Sequence, residues 1–186
     1  MKAALPGRTC VLLDCSGSMH TRCWTGQRST INATACEKAG LLAATIAKAT
    51  NADIVRFGSR AEFAQYDPNM NVFALGNQLS TCNMGGTSIS AAFNKINGKV
   101  YDRIILLSDN EANTGNTSIA YKNYLRSVNV SPYVYCIDLA SYGTTPLKND
   151  GKINYYYGYG YRMFDDIASK EFNPEMHIDK VRKIVI

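Results

Sequence analysis

No apolar stretch in this 186-residue chain approaches the ~20 residues that a membrane-spanning helix needs, so no membrane partner is expected. The first residues, Met1-Lys2-Ala3-Ala4-Leu5-Pro6, lack the apolar core of a secretory signal. A start so close to the first core strand allows excision from a longer chain. No Cys-x-x-Cys pair occurs, which argues against a zinc ribbon. His20-Thr21-Arg22-Cys23 is half of a zinc site without a matching half. The only two histidines, His20 and His177, have no acid/base partner in sequence, and neither is assigned a role. Internal repeats, low-complexity linkers and blocks of like charge are also missing.

What remains is the composition of an ordinary globular protein, long enough for a single domain with a proper core, here taken as residues 1–186. The net charge of +5 comes from basic residues spread along the chain. The one modest cluster, Lys180, Arg182 and Lys183, reads as a solvated helix face before it reads as a nucleic-acid contact. Six cysteines would permit three disulfides. However, Cys10, Cys15 and Cys136 fall in or at the ends of expected core strands, where cysteine behaves as a small apolar residue. With no secretory signal, reduced thiols and a cytoplasmic location are expected.

Arg8 to Leu13 is apolar on both faces and reads as a buried parallel strand. Met19 to Thr30 reads as polar loop. A helix from about Ile31 to Thr50 follows, with Ala35, Ala39, Leu42, Ile46 and Ala49 at the helical period. Asp53 to Phe57 is a short strand, and Ala61 to Phe63 a second one, antiparallel and at an edge. Gln65 to Gly86 is irregular. A second helix starts near Thr87 as cap, carries Ile89, Ala92, Phe93 and Ile96 inward, and ends at Gly98. Strands are expected at Tyr101 to Leu107, Tyr133 to Ile137 and Ile153 to Tyr157. Thr117 is expected to cap a helix with Tyr121, Tyr124, Leu125 and Val128 on its inner face. Ser141 to Gly151 reads as loop. Arg162 to Lys170 reads as helix, and Asn173-Pro174 opens a final one with Ile178, Val181 and Val185 inward.

Strands alternating with amphipathic helices specify an α/β fold, doubly wound, with a mainly parallel sheet and helices on both faces. Such sheets bind ligands at the carboxyl ends of their strands, where the winding reverses. Three segments carry chemistry there. Asp14-Cys15-Ser16-Gly17-Ser18 follows the apolar run Val11-Leu12-Leu13. Ser108-Asp109-Asn110-Glu111 follows Ile104-Ile105-Leu106-Leu107. Gly85-Gly86-Thr87-Ser88 opens a helix on the same edge.

Together these place two carboxylates, Asp14 and Asp109, and three hydroxyls, Ser16, Ser18 and Thr87, around one point. That donor set suits a hard divalent cation such as Mg2+. The hydroxyls are expected to bind directly and at least one aspartate through water. A shell of mostly neutral ligands leaves the ion electrophilic, so a carboxylate from outside can complete it. Gly17 and Gly85-Gly86 let the backbone come close. Each segment alone has an ordinary alternative: Asp14 as a cap, Ser16 and Ser18 as turn residues, Thr87 as an N-cap.

Asp14-x-Ser16-x-Ser18, Thr87 and Asp109 resemble the metal-ion-dependent adhesion site (MIDAS) of von Willebrand factor A domains. Gly85-Gly86-Thr87 and Ser108-Asp109-Asn110-Glu111 most resemble the A domain of the Ro ribonucleoprotein, or TROVE, family. The resemblance implies a Rossmann-like fold, Mg2+ or Mn2+ at the site, and binding completed by an exposed Asp or Glu of a protein partner, without catalysis. It also implies an intracellular setting and an RNA connection through the full-length protein. Much of the RNA surface in that family lies on a ring of helical repeats, which this chain does not contain. Cys15 departs from the smaller or aliphatic residue expected at its position, but it is not a ligand position.

Two other functions compete. A phosphohydrolase of haloacid-dehalogenase type also uses an aspartate after the first strand with Mg2+. That chemistry needs a second carboxylate two residues on as acid/base, and position 16 is Ser. A nucleic-acid-binding domain would use Lys/Arg and the Tyr-rich stretch Tyr155 to Tyr161 for stacking. The alternative is that these rings fill a strand and an edge loop.

Overall fold

The computed structural model describes residues 6–20, 33–111, 114–140, 143–148, 151–158 and 160–172. Six strands form one sheet: β1 (Thr9–Asp14), β2 (Asp53–Phe57), β3 (Ala61–Phe63), β4 (Arg103–Ser108), β5 (Tyr133–Asp138) and β6 (Ile153–Tyr157). Their order is β3-β2-β1-β4-β5-β6. All neighbours are parallel except β2 and β3, whose antiparallel pairing makes β3 the expected edge. From β1 the chain winds outward to β2 and β3, then returns to the other side of β1 to lay down β4. The winding therefore reverses between β1 and β4, and that crevice is where a ligand site is expected.

The central strands β1 and β4 are buried at every residue. Alternate side chains serve opposite layers. Val11, Leu13, Ile105, Leu107 and Ile137 pack with residues of α1 (Ala35–Thr50), α2 (Val72–Ser80) and α5 (Tyr161–Phe172). Cys10, Leu12, Ile104, Leu106 and Cys136 pack with α3 (Ile89–Lys95) and α4 (Thr117–Val128). Phe93 of α3 meets Tyr121 and Tyr124 of α4 with ring centroids 5.3 and 6.2 Å apart. This is the doubly wound α/β architecture with helices on both faces.

Local chemistry moves several expected boundaries. α1 begins at Ala35, not Ile31. Thr34 caps it through Glu37 N, while the Glu37 carboxylate returns to Thr34 N, a capping box that fixes the first turn. The segment read as irregular between Gln65 and Gly86 contains α2, capped by Asn71. The cap of α3 is Ser88, not Thr87: Ser88 Oγ accepts from Ala91 N. α3 ends at Lys95 with Ile96 as its cap, and Gly98 follows two residues later at φ +77°. Asn116, not Thr117, caps α4. Ser18–His20 forms one turn of 3-10 helix within the expected loop. The final helix expected from Pro174, together with His177, Lys180, Arg182 and Lys183, lies outside the described residues, as does Cys23.

Candidate metal centre

Asp14 is the last residue of β1 and fully buried. Its Oδ1 accepts from Ser16 N at 2.8 Å, and its Oδ2 accepts from Ser108 Oγ at 2.5 Å. Ser108 ends β4, and its own oxygen accepts from Asn110 N at 3.0 Å. The two strand ends that flank the crevice are thus tied by one hydroxyl. Asp109, next in the chain, is 1% exposed. Its Oδ1 accepts from Glu111 N at 3.1 Å, whereas its Oδ2 is buried with no hydrogen-bond partner. A buried carboxylate oxygen left without a donor is costly unless something else satisfies it.

Burial pushes the Asp14 carboxyl up to about 6 from an ordinary 3.8. The hydrogen bonds from Ser108 and Ser16 oppose that shift, and the negative charge of Asp109 adds to it. A cation bound at this edge would offset both the burial and the like charge that disfavour ionised Asp14.

The remaining donors arrive on loops stitched to one another. Ser16 Oγ and Ser18 Oγ lie 3.2 Å apart. Gly17 N donates to Gly85 O at 2.8 Å, and Met84 N to Cys15 O at 2.7 Å, pairing the loop after β1 with the loop before α3. Ser59 N donates to Met84 O at 2.8 Å, and Ser59 Oγ accepts from Gly86 N at 2.9 Å. Gly85 adopts φ +81°, and a Cβ there would stand 2.9 Å from Ser59 Oγ. The turn therefore needs glycine on both conformational and steric grounds.

Thr87 is 2% exposed. Its carbonyl accepts from Thr114 N and Thr114 Oγ1, at 3.2 and 3.1 Å. Thr87 and Ser18 together border an open cavity of about 600 Å³ at the carboxyl edge, with Asn110, Glu111 and Thr144 also in its lining. All five expected residues thus lie on one edge: Asp14, Ser16 and Ser18 after β1, Thr87 before α3, and Asp109 after β4.

Sequence reasoning missed the role of Ser108 as the bridge to Asp14. It also passed over Asn110, which sits at φ +60° with both side-chain amide atoms buried and unpartnered. Asp138, a third buried acid at the end of β5, was not singled out; its oxygens accept from Ala140 N and Gly143 N. Its position after the run Val134 to Ile137 is the signal that could have found it. Among the described residues no group of three or more His, Cys, Asp or Glu forms a metal cluster. A site built from two aspartates and three hydroxyls is of a different kind.

The Tyr-rich stretch is partly committed to packing. Tyr155 Oη donates to Leu147 O at 2.5 Å and also accepts from Leu147 N, and Tyr156 Oη donates to Asp166 of α5. His20 Nε2 is engaged with Cys82 O at 2.9 Å. No helix among the described residues is long and apolar enough to cross a membrane.

The fold is shared with solved structures. The Ro (RSR) protein of Deinococcus radiodurans superposes with a TM-score of 0.68 at 16% identity, over 88% of this chain and 34% of that one. The chain thus spans about a third of that protein's length. An aerotolerance-related membrane protein of Bacteroides fragilis superposes with a TM-score of 0.52 at 18% identity, over 91% and 98% of the two chains. The manganese-loaded TRAP protein of Plasmodium vivax follows at 0.48 and 18%, over 89% and 72%. No curated protein matches the chain by sequence. The model of the Ro60 vWA domain matches residues 8–150, which is most of the chain, and the chain belongs to that family of von Willebrand factor A domains.

Proposed function

We propose that the chain is a divalent-metal-dependent protein interaction module. In this proposal Asp14, Ser16, Ser18, Thr87 and Asp109 hold Mg2+ or Mn2+, and an exposed Asp or Glu of a protein partner completes the site. The observation that carries it is the Asp109 carboxylate, buried and with one oxygen unpartnered, at the same strand edge as the buried Asp14. The donors fit a hard cation, which favours carboxylate and hydroxyl oxygen. When bound, such an ion supplies a strong local positive charge that attracts a carboxylate.

The chain's own residues do the positioning. Ser108 fixes the rotamer of Asp14 by donating to Oδ2. The Gly17–Gly85 backbone pair sets the distance between the serine loop and Thr87. The cavity beside Ser18 and Thr87 leaves room for a partner's side chain.

Binding without turnover fits the donor set. The position two residues after Asp14 is Ser16, whose hydroxyl faces Ser18 and is no general acid at neutral pH. By family resemblance, the module would serve within a longer Ro-type cytoplasmic protein that meets RNA elsewhere on its chain. Calorimetric titration with MgCl2 and MnCl2 tests the proposal, followed by acetate as a minimal carboxylate. One ion per chain, lost in Asp109→Asn and Thr87→Ala, with acetate binding only to the loaded protein, is the expected result. Magnesium-dependent hydrolysis of a phosphate ester, abolished by Asp14→Ala, would replace it with the phosphohydrolase function.

A further inference from the structure

Three cysteines from distant parts of the chain meet directly beneath the candidate metal loop. Cys15 lies between Asp14 and Ser16 and is fully buried. Cys36 comes from the first turn of α1, and Cys82 from the segment after α2. Cys82 Sγ lies 2.7 Å from Cys15 Sγ. Cys36 Sγ donates to Ser80 O at 3.3 Å, which holds that thiol in another direction. Cys82 is half-buried between the exposed residues Thr81 and Asn83, so it is the member of the trio that solvent reaches. The five described cysteines are all free thiols.

We propose that Cys82 and Cys15 form a peroxide-sensitive thiol pair whose oxidation to a disulfide displaces the Asp14–Ser18 loop. The Cys82 thiolate attacks hydrogen peroxide; one peroxide oxygen goes to sulfur and the other leaves as hydroxide, which takes up a proton to become water. Cys82 is then a sulfenic acid. The Cys15 sulfur attacks the Cys82 sulfur, its proton and the sulfenic oxygen leave as water, and the S–S bond forms. Both thiols are oxidised by two electrons in total, and one hydrogen peroxide is reduced.

Several features favour Cys82 as the attacking group. The hydrogen bond with Cys15 and the nearby Arg56 guanidinium lower its thiol, against the opposing effect of burial. Arg56 Nε is buried and has no hydrogen-bond partner, while Arg56 Nη2 is held 2.6 Å from Glu62. That ion pair on the β2–β3 ribbon fixes the guanidinium near the sulfur. A thiolate with partial access and a cation beside it is the usual setting of a reactive cysteine. The resolving sulfur is its direct neighbour, and no other residue has to move aside for the two to meet.

The effect on the site rests on the metal-binding proposal above. Cys15 N donates to Phe57 O and Cys15 O accepts from Met84 N, both at 2.7 Å, so the residue has little slack. Pulling its side chain toward Cys82 moves the flanking Asp14 and Ser16, and Mg2+ tolerates little departure from octahedral geometry.

The test treats the fully reduced chain with one equivalent of hydrogen peroxide, blocks remaining thiols with N-ethylmaleimide, and maps linkages by mass spectrometry. Loss of two thiols per chain and a Cys15–Cys82 linked peptide are expected. Cys15→Ser should stop at a Cys82 sulfenic acid trapped by dimedone. The wild-type map decides the pairing even if that variant folds poorly. Cys82 reacting no faster than Cys10 and Cys136, or linked to Cys23 or Cys36, overturns the pair. Mg2+ titration of the same samples should show at least a tenfold loss of affinity on oxidation, restored by dithiothreitol. Equal affinities in the two states overturn the coupling. Absence of Mg2+ binding in the reduced chain contradicts the metal site and leaves the linkage map to decide the thiol pair.

Discussion

Ser108 Oγ donates to Asp14 Oδ2 at 2.5 Å across 94 positions of sequence, joining the carboxyl ends of the two strands between which the sheet reverses its winding. The same hydroxyl accepts from Asn110 N, so it also sets the turn that carries Asp109. Ser108→Ala removes a donor that holds the Asp14 carboxyl down and leaves a buried oxygen short of a partner. The cost should be about 1–3 kcal/mol in urea unfolding. The pH midpoint of Mg2+ binding should move upward, because a proton then competes for Asp14 at higher pH.

Folding raises the Asp14 carboxyl to about 6 from 3.8. For the metal-free chain, the protonated acid therefore favours the fold. That contribution is fully present below about pH 4 and is lost as pH rises through about 6. Between those limits the loss from this group is on the order of 3 kcal/mol. Asp14→Asn should remove most of this pH dependence, leave the metal-free chain at least as stable as wild type at pH 7, and abolish Mg2+ binding. Chemical denaturation at pH 4.5 and 7 with and without Mg2+ measures all three.

Gly58 lies where the loop after β2 passes under the loop before α3. A Cβ there would sit 2.5 Å from Met84 Cβ and Met84 O. Its carbonyl accepts from Ser88 N, the cap of α3. Gly58→Ala should destabilise by about 1–3 kcal/mol, as other overpacked sites do. Metal affinity should fall with it, since Met84 N also holds Cys15 O. A variant with wild-type stability and affinity would show that the two loops are not mechanically linked.

At the opposite end of the sheet, Arg103 in β4 is fully buried and paired with Glu171 of α5. Arg103 Nε donates to Glu171 Oε1 at 2.6 Å, and Tyr135 Oη donates to the same oxygen at 3.0 Å. Glu171→Gln leaves the guanidinium buried with no counter-charge. A loss of about 3–5 kcal/mol is expected. Mg2+ affinity should be unchanged, because the pair is at the amino end of β4.

Much of this was legible in the sequence. Runs apolar on both faces, such as Val11 to Leu13 and Ile104 to Leu107, can only be central strands covered on both sides, and the acid after each then falls on one edge. α2 was not legible. Gly76 weakens its helical signal, yet a Cβ there would stand 3.0 Å from Leu41 Cα and one on Gly40 2.5 Å from Gly76 O, so both glycines are needed for α1 and α2 to approach. Tertiary packing, not propensity, makes that helix. The Thr34-x-x-Glu37 box that marks the start of α1 stands in the sequence but was passed over in favour of a start near Ile31. Ser88 took the capping role expected of Thr87, which leaves Thr87 at the cavity. The Ser108 bridge and the Arg103–Glu171 pair depend on contacts between residues 94 and 68 positions apart, which spacing alone does not reveal.

The central claim is that five residues from three loops hold one divalent ion, and a crystal soaked in MnCl2 tests it most directly. Data collected near the manganese edge should show one strong anomalous peak enclosed by Asp14, Ser16, Ser18, Thr87 and Asp109, with the hydroxyl oxygens in direct contact. No peak there in a well-ordered, fully reduced crystal, or a peak bound by other residues, would contradict the account.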